Sequence, residues 1–212
     1  MMISASVRRL SCDYVVAVVG GGTGIGAATA EHIGRLGSSV FVIDEDATAA
    51  AATAAAVAST GARAGSAGAD VCDVDAVQRA VDKAARWNGR IHAIVNVSGL
   101  QDRAGFDPAF DDFERTPRIA LTAALVIAQA VVPRMYKAGY GRIAHLVSAG
   151  DLGLIGLVRS QSKELATTGI SVNALVPPRG AIVEVAAMLA YLISPECIWP
   201  IGAIDNCPGK PT

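Results

Sequence analysis

The chain has 212 residues, 52% hydrophobic, 17% charged and 5% aromatic, which suits a single domain with a core of several layers. With 18 basic and 19 acidic residues the net charge is −1, and neither sign forms a run that would read as a footprint for nucleic acid. The mean hydropathy of +0.42 comes largely from Ala and Val, and the longest uncharged apolar run, residues 119–133, is shorter than the roughly 20 residues of a spanning helix. A membrane protein is therefore not expected. The apolar run at 15–19 leads into glycines rather than a cleavage site, so it reads as a strand and not as a signal peptide. Cys12, Cys72, Cys197 and Cys207 have no Cys-x-x-Cys spacing, and His32, His92 and His145 stand far apart. Free thiols in a reducing cytoplasm, with no metal, are the expectation.

Short β-rich runs alternate with longer helical patterns along the whole chain. Strands are expected at 15–20, 39–44, 91–97, 142–148, 171–176 and 201–205, with a weaker one at 63–70 where glycines dilute the β-propensity. Helices are expected near 24–36, 47–60, 73–88, 113–138, 152–168 and 181–194. Continuous Val/Ile strands are buried on both faces, which predicts an α/β fold: a doubly wound, mostly parallel, Rossmann-like sheet with helices on each side. The Ala-rich stretch 47–58 reads as a helix, because Ala is the best helix former.

The first strand runs into Val18, Val19, Gly20, Gly21, Gly22, Thr23, Gly24, Ile25 and Gly26, and a helix follows at once. Glycines allow the tight turn and let the backbone approach a pyrophosphate, which the helix N-terminus attracts through its free N–H groups. The second strand ends at Asp44, where a carboxylate grips ribose hydroxyls. Glu45 adds a second negative charge, and no Arg or Lys stands near in sequence to hold a 2′-phosphate. NAD(H) is expected in preference to NADP(H).

At these residues the chain resembles the short-chain dehydrogenases/reductases, in particular their 3-oxoacyl-carrier-protein-reductase-like branch. Gly20, Gly24 and Gly26 match the family's Thr-Gly-x-x-x-Gly-x-Gly motif, with Val19 in place of Thr. Asp70 and Val71 match its Asp-Val pair at the adenine. Asn96, Val97, Ser98 and Gly99 are similar to its Asn-Asn-Ala-Gly motif. The stretches 129–135, 139–143, 169–174 and Pro177 follow the family's order. The resemblance implies a cofactor site of Gly20, Gly22, Thr23, Gly24, Ile25, Gly26, Asp44, Asp70, Val71, Asn96, Ser98, Gly99 and Pro177.

It also implies an Asn-Ser-Tyr-Lys catalytic set, in which Tyr moves the proton and Lys lowers its pKa. Here the pattern breaks. Ser148 matches the serine, but Ala120 stands where Asn is expected, and Asp151 where Lys is expected. No Tyr-x-x-x-Lys exists anywhere in the chain. The segment after Pro177 passes almost at once into helix, so the substrate region is shortened and a lid that would exclude water is missing. Ser148 and Asp151 are the remaining candidate catalytic residues, and Asp151 reads equally as an N-cap for the helix that follows. His145, inside a strand, and His92 read as structural, and Trp87 and Trp199 as packing residues.

The resemblance and its gaps leave three readings. One is a non-redox enzyme, of cyclase or isomerase type, with Ser148 or Asp151 polarising a small molecule. A second is a non-catalytic NAD-binding subunit paired with an intact family member. The third is an oxidoreductase carrying internal deletions. The helices at 113–138 and 152–168 are the expected surfaces for a homo- or hetero-oligomer, since residues 119–132 are apolar on more than one face, as in a doubly buried helix.

Overall fold

The computed structural model describes residues 9–99, 110–148, 151–177, 181–199 and 202–206. In chain order they form β1 (Val15–Val19), α1 (Gly24–Arg35), β2 (Ser39–Asp44), α2 (Ala47–Ser59), β3 (Ala64–Gly68), α3 (Val74–Asn88) and β4 (Ala93–Asn96). Then follow α4 (Phe110–Ala138), β5 (Gly141–Leu146), α5 (Leu152–Leu165), β6 (Ile170–Val176), α6 (Ile182–Leu192) and β7 (Ile204–Asn206). The seven strands lie in the order β3-β2-β1-β4-β5-β6-β7, every pair parallel. The doubly wound α/β architecture expected from the alternation is the one observed.

The central strands are apolar throughout because both their faces are covered. β1 is Val-Val-Ala-Val-Val and buried at every position. Alternate side chains feed two cores. On one face, Val16, Val18, Val40, Val42 and Val95 meet α1, α2 and α6 through Ile33, Val57 and Leu189. On the other, Ala17, Val19, Phe41, Ile94 and Ile143 meet α3, α4 and α5 through Val81, Ile127 and Val158. Three helix starts are held by aspartates: Asp46 accepts from the N–H groups of Thr48 and Ala49, Asp73 from that of Ala76, and Asp151 from that of Leu154.

The weak strand at 63–70 is real and forms the sheet edge. Its glycine dilution has a packing cause: a Cβ on Gly65 would stand 3.0 Å from the Phe41 ring and 3.2 Å from Trp87. Those rings sit edge to face, 5.7 Å between centroids, in the room the glycine leaves. Elsewhere the observed bounds move by a few residues. β1 stops at Val19, β4 spans only Ala93–Asn96, and β5 ends at Leu146 rather than Ser148. α5 ends at Leu165, and β7 begins at Ile204, while its expected start, Ile201, lies outside the described residues.

α4 corrects one expectation. Its segment Arg118–Ala138, 21 residues of mean hydropathy 1.6, is long and apolar enough to cross a membrane by length and composition. In sequence the apolar run breaks at Arg134, a single charge that the helix passes through. Half of the apolar window is buried in the protein, and Ala123, Ala124, Ile127 and Val131 press on the sheet, so the helix serves as a core element. On its outer side Leu121 and Leu125 are 39% and 45% exposed. Small residues on the inner side allow close approach to the sheet, and the leucines face outward.

Candidate dinucleotide site

All the candidate residues fall at the carboxyl edge of the parallel sheet, and the strand order reverses between β1 and β4, the position where such sheets bind ligands. Residues 20–26 turn there from β1 into α1. Gly20 has φ +76° and Gly24 φ +53°, the left-handed region that favours glycine. A Cβ on Gly26 would collide with the Gly20 carbonyl oxygen, so the turn closes only with glycine at that position. Neighbouring elements hold the loop from outside. The N–H groups of Gly20 and Gly21 donate to Ile43 O at 2.9 and 3.2 Å, and the Thr53 hydroxyl of α2 donates to Gly22 O at 3.0 Å.

α1 begins without a side-chain cap. Thr23 makes no capping bond, and the first turn carries no acidic residue. Among the described residues no side chain caps its first N–H groups, and nothing lies within 4 Å of the place a Gly24 Cβ would take. This cradle of backbone donors, free of side chains, fits a pyrophosphate. Thr23 and Ile25 flank it, respectively exposed and half-buried.

Asp44, at the end of β2, aims its carboxylate across the mouth. Its Oδ2 accepts from the Gly22 N–H at 2.7 Å and its Oδ1 from the Asp46 N–H at 3.1 Å. A Cβ on Gly22 would meet the same carboxylate at 2.8 Å, so Gly22 and Asp44 are fitted to each other. Beyond β3, Asp70 closes a local turn by accepting from the Cys72 N–H at 2.8 Å, with Val71 half-buried beside it. Burial and the Asp70 charge raise the Cys72 thiol pKa, while Arg118 of α4 lowers it. Arg118 of α4 thus lies within electrostatic reach of Cys72, although the two are far apart in sequence.

On the other side of the switch, Asn96 is buried at the end of β4. Its Oδ1 accepts from the Ser98 N–H at 3.1 Å and from the Ser98 hydroxyl, and its Nδ2 lies 3.2 Å from Nδ1 of His145. Gly99, at φ +80°, brings the backbone against α4, where an added Cβ would stand 2.8 Å from the Ala120 backbone. Sequence reading took His145 for an ordinary packed residue; its bond to Asn96 runs between neighbouring strands, and no linear pattern signals it. Thr53, which ties α2 to the loop, was missed for the same reason.

Ser148 follows β5 at this edge and is half-buried, and Pro177 follows β6. The Asp151 N–H donates to Ser148 O at 2.9 Å. Asp151 is 8% exposed, and its Oδ1 accepts from the Leu154 N–H at 3.0 Å, which makes it the N-cap of α5. Tyr14 lies at the opposite, amino-terminal side of the sheet, its hydroxyl donating to Ile193 O and 3.0 Å from that of Tyr140. Among the described residues no cluster of three or more His, Cys, Asp or Glu is placed to hold a metal.

The sequence pattern of one family, described as short chain dehydrogenase, matches residues 14–152. The chain is 32% identical over 182 residues to the short-chain reductase protein NovJ of Streptomyces niveus, covering 79% of this chain and 70% of NovJ. It is 28% identical over 238 residues to the 2-dehydro-3-deoxy-L-rhamnonate dehydrogenase (NAD(+)) of a Sphingomonas species, covering 92% and 94% of the two chains. Among solved structures, the citronellol catabolism dehydrogenase AtuB of Pseudomonas aeruginosa superposes with a TM-score of 0.80 at 26% identity, covering 93% of this chain and 94% of that one. Glycine turn, strand order and family match agree, and the chain belongs to the short chain dehydrogenase family.

Proposed function

We propose that this protein binds NAD(H) at residues 20–26 with Asp44 on the adenosine ribose, and that it does not interconvert carbonyls and alcohols by the family's usual route. The observation that carries the binding half is the Asp44 carboxylate held at the mouth of the uncapped glycine turn, 2.7 Å from the Gly22 N–H. A carboxylate accepts hydrogen bonds from free ribose hydroxyls, whereas a 2′-phosphate would meet the like charges of Asp44 and Glu45. Asn96, Ser98, Gly99 and Pro177 would border the nicotinamide end, and Asp70 and Val71 the adenine. A relative named as NAD(+)-dependent supports this choice. Titration calorimetry with NADH and NADPH tests it, and tighter binding of NADPH overturns it.

When bound, the nicotinamide supplies or accepts a hydride. The matching proton needs an acid or base beside the reacting oxygen, and this chain has no Tyr-x-x-x-Lys to provide it. Ser148 remains to hold an oxygen of a small-molecule substrate. Asp151 puts a negative charge where the family has Lys, and one of its oxygens already caps α5. That arrangement supports chemistry other than carbonyl reduction, with Ser148 or Asp151 polarising the substrate. The relatives are named as reductases and dehydrogenases, so carbonyl turnover is the outcome that would reverse this reading.

One observation favours the partner-subunit reading. Leu121 and Leu125 of α4 and Leu152 of α5, the last 75% exposed, point away from the core. Leu121 stands 3.8 Å from the place a Gly153 Cβ would take, so the two helices share one apolar surface. A second copy, or an intact family member, would cover it. The free thiols of Cys12, Cys72 and Cys197 are consistent with a cytoplasmic location.

A further inference from the structure

His145 stands opposite Asn96 in the β4–β5 register, and its side chain is fully buried. The Asn96 oxygen is occupied by the Ser98 N–H and hydroxyl, so the amide turns its NH2 toward His145. An NH2 group only donates. Nδ1 of His145, 3.2 Å away, must therefore accept, which fixes the ring as neutral with its proton on Nε2. Burial favours the same neutral form, lowering the pKa to about 4. The Nε2–H itself has no partner among the described residues. A buried donor without a partner is destabilising, so an aliphatic side chain would serve a purely packing position better. What the imidazole adds is the acceptor on Nδ1.

That acceptor acts over distance. Ser98, held by Asn96, lies against the glycine turn, where a Cβ on Gly20 would meet Ser98 N at 2.9 Å. The Val97 N–H donates to Val19 O at 2.9 Å, closing the same seam. We propose that His145 is a positioning residue of the dinucleotide site: as a neutral acceptor it locks the one orientation of the Asn96 amide that holds Ser98 against the glycine turn. This rests on the dinucleotide reading above and extends it to a side chain in the α4–α5 core layer.

The test compares His145→Asn, whose Oδ1 restores an acceptor near the place of Nδ1, with His145→Leu, which fills the space without one. NADH affinity is read by fluorescence titration, and folding by circular dichroism. The Leu variant is expected to bind about tenfold more weakly, and the Asn variant within about twofold of the unmodified chain. In the unmodified chain, ¹⁵N spectra should show His145 with Nε2 protonated and Nδ1 bare. Equal affinity in the Leu variant and the unmodified chain overturns the proposal. So does an equal loss in the Leu and Asn variants, which would mark a volume effect, and so does a proton on Nδ1. If the Leu variant does not fold, the tautomer and the Asn variant decide. Failure of the unmodified chain to bind NADH overturns the dinucleotide reading, and with it the purpose of the relay.

Discussion

Gly22 and Asp44 show how much of the site is decided by single atoms. The carboxylate lies on the Gly22 N–H, and a Cβ there would meet both Asp44 and, at 3.0 Å, the Ala49 Cβ. Gly22→Ala should displace the carboxylate and weaken NADH binding. Asp44→Ala should cost about 1.5–3 kcal/mol of binding, the range for a hydrogen bond to a charged group, and calorimetry on both variants checks this. The glycines were legible in sequence because turn geometry demands that residue type, and Asp44 because it ends a run of strand-forming residues. The Asn96–His145 pair was not, because it depends on register between strands. His145 also has a pH signature. Its folded pKa of about 4 lies below the ordinary 6.5, so the unfolded chain binds the proton first. Stability is full above about pH 6.5 and falls as pH drops toward 4, by about 3 kcal/mol from this residue. His92, also lowered to about 4 by burial and then Arg90, adds in the same direction, less strongly because it is partly exposed. Urea titrations from pH 7 to 4 should show this slope, and His145→Asn should flatten it.

Elements were legible where periodicity or continuous apolar runs were strong, and their ends were not. α4 and α5 illustrate both. The start of α5 was readable because Asp151 precedes a helical pattern, and the structure has its Oδ1 on the Leu154 N–H. Asp151→Ala should lower stability by about 1 kcal/mol through loss of the cap, whereas Asp151→Asn, also a good cap, should lower it less. Thermal melts of the two variants distinguish capping from a general charge effect. Residues 119–132 read in sequence as apolar on more than one face, and the folded chain leaves part of that apolar surface open. Leu121, Leu125 and Leu152 lie outward, and contiguous exposed apolar area of this kind marks association surfaces. Sedimentation at micromolar concentration should show a dimer or larger species. Leu125→Lys should shift it toward monomer without unfolding the chain, and a monomer in the unmodified chain would count against the surface.

At the scale of the molecule, the parallel sheet brings the glycine turn, Asp44, Ser98, Ser148 and Pro177 to one edge, while Tyr14 and its bonded neighbours remain at the other. A cofactor laid across the switch point would thus have Ser148 near its reactive end and no tyrosine from the described residues of that strand–helix connection. The Asp151 N–H donates to Ser148 O at 2.9 Å, and α5 begins at Leu152. Loss of one acid–base group lowers a rate by about 10²–10⁴-fold. The chain holds no Tyr-x-x-x-Lys, and on the proposed reading Ala120 stands at the family's Asn position as well; such losses do not simply add, because the groups act together. On the proposed reading Asp151 would also oppose negative charge developing on a substrate oxygen, which a lysine in its place would stabilise. Dinucleotide binding and carbonyl turnover should therefore separate in this protein: NADH binds, and its absorbance band does not decay measurably with ketones or 3-oxoacyl thioesters. The assay runs a panel of such substrates beside an intact family member. Turnover within about tenfold of that control, well inside the ordinary spread of enzyme rates, would mean that another group supplies the proton. Asp151→Asn would then be the next measurement, because an amide that still caps α5 removes the proton-transferring carboxyl group while leaving the helix start in place.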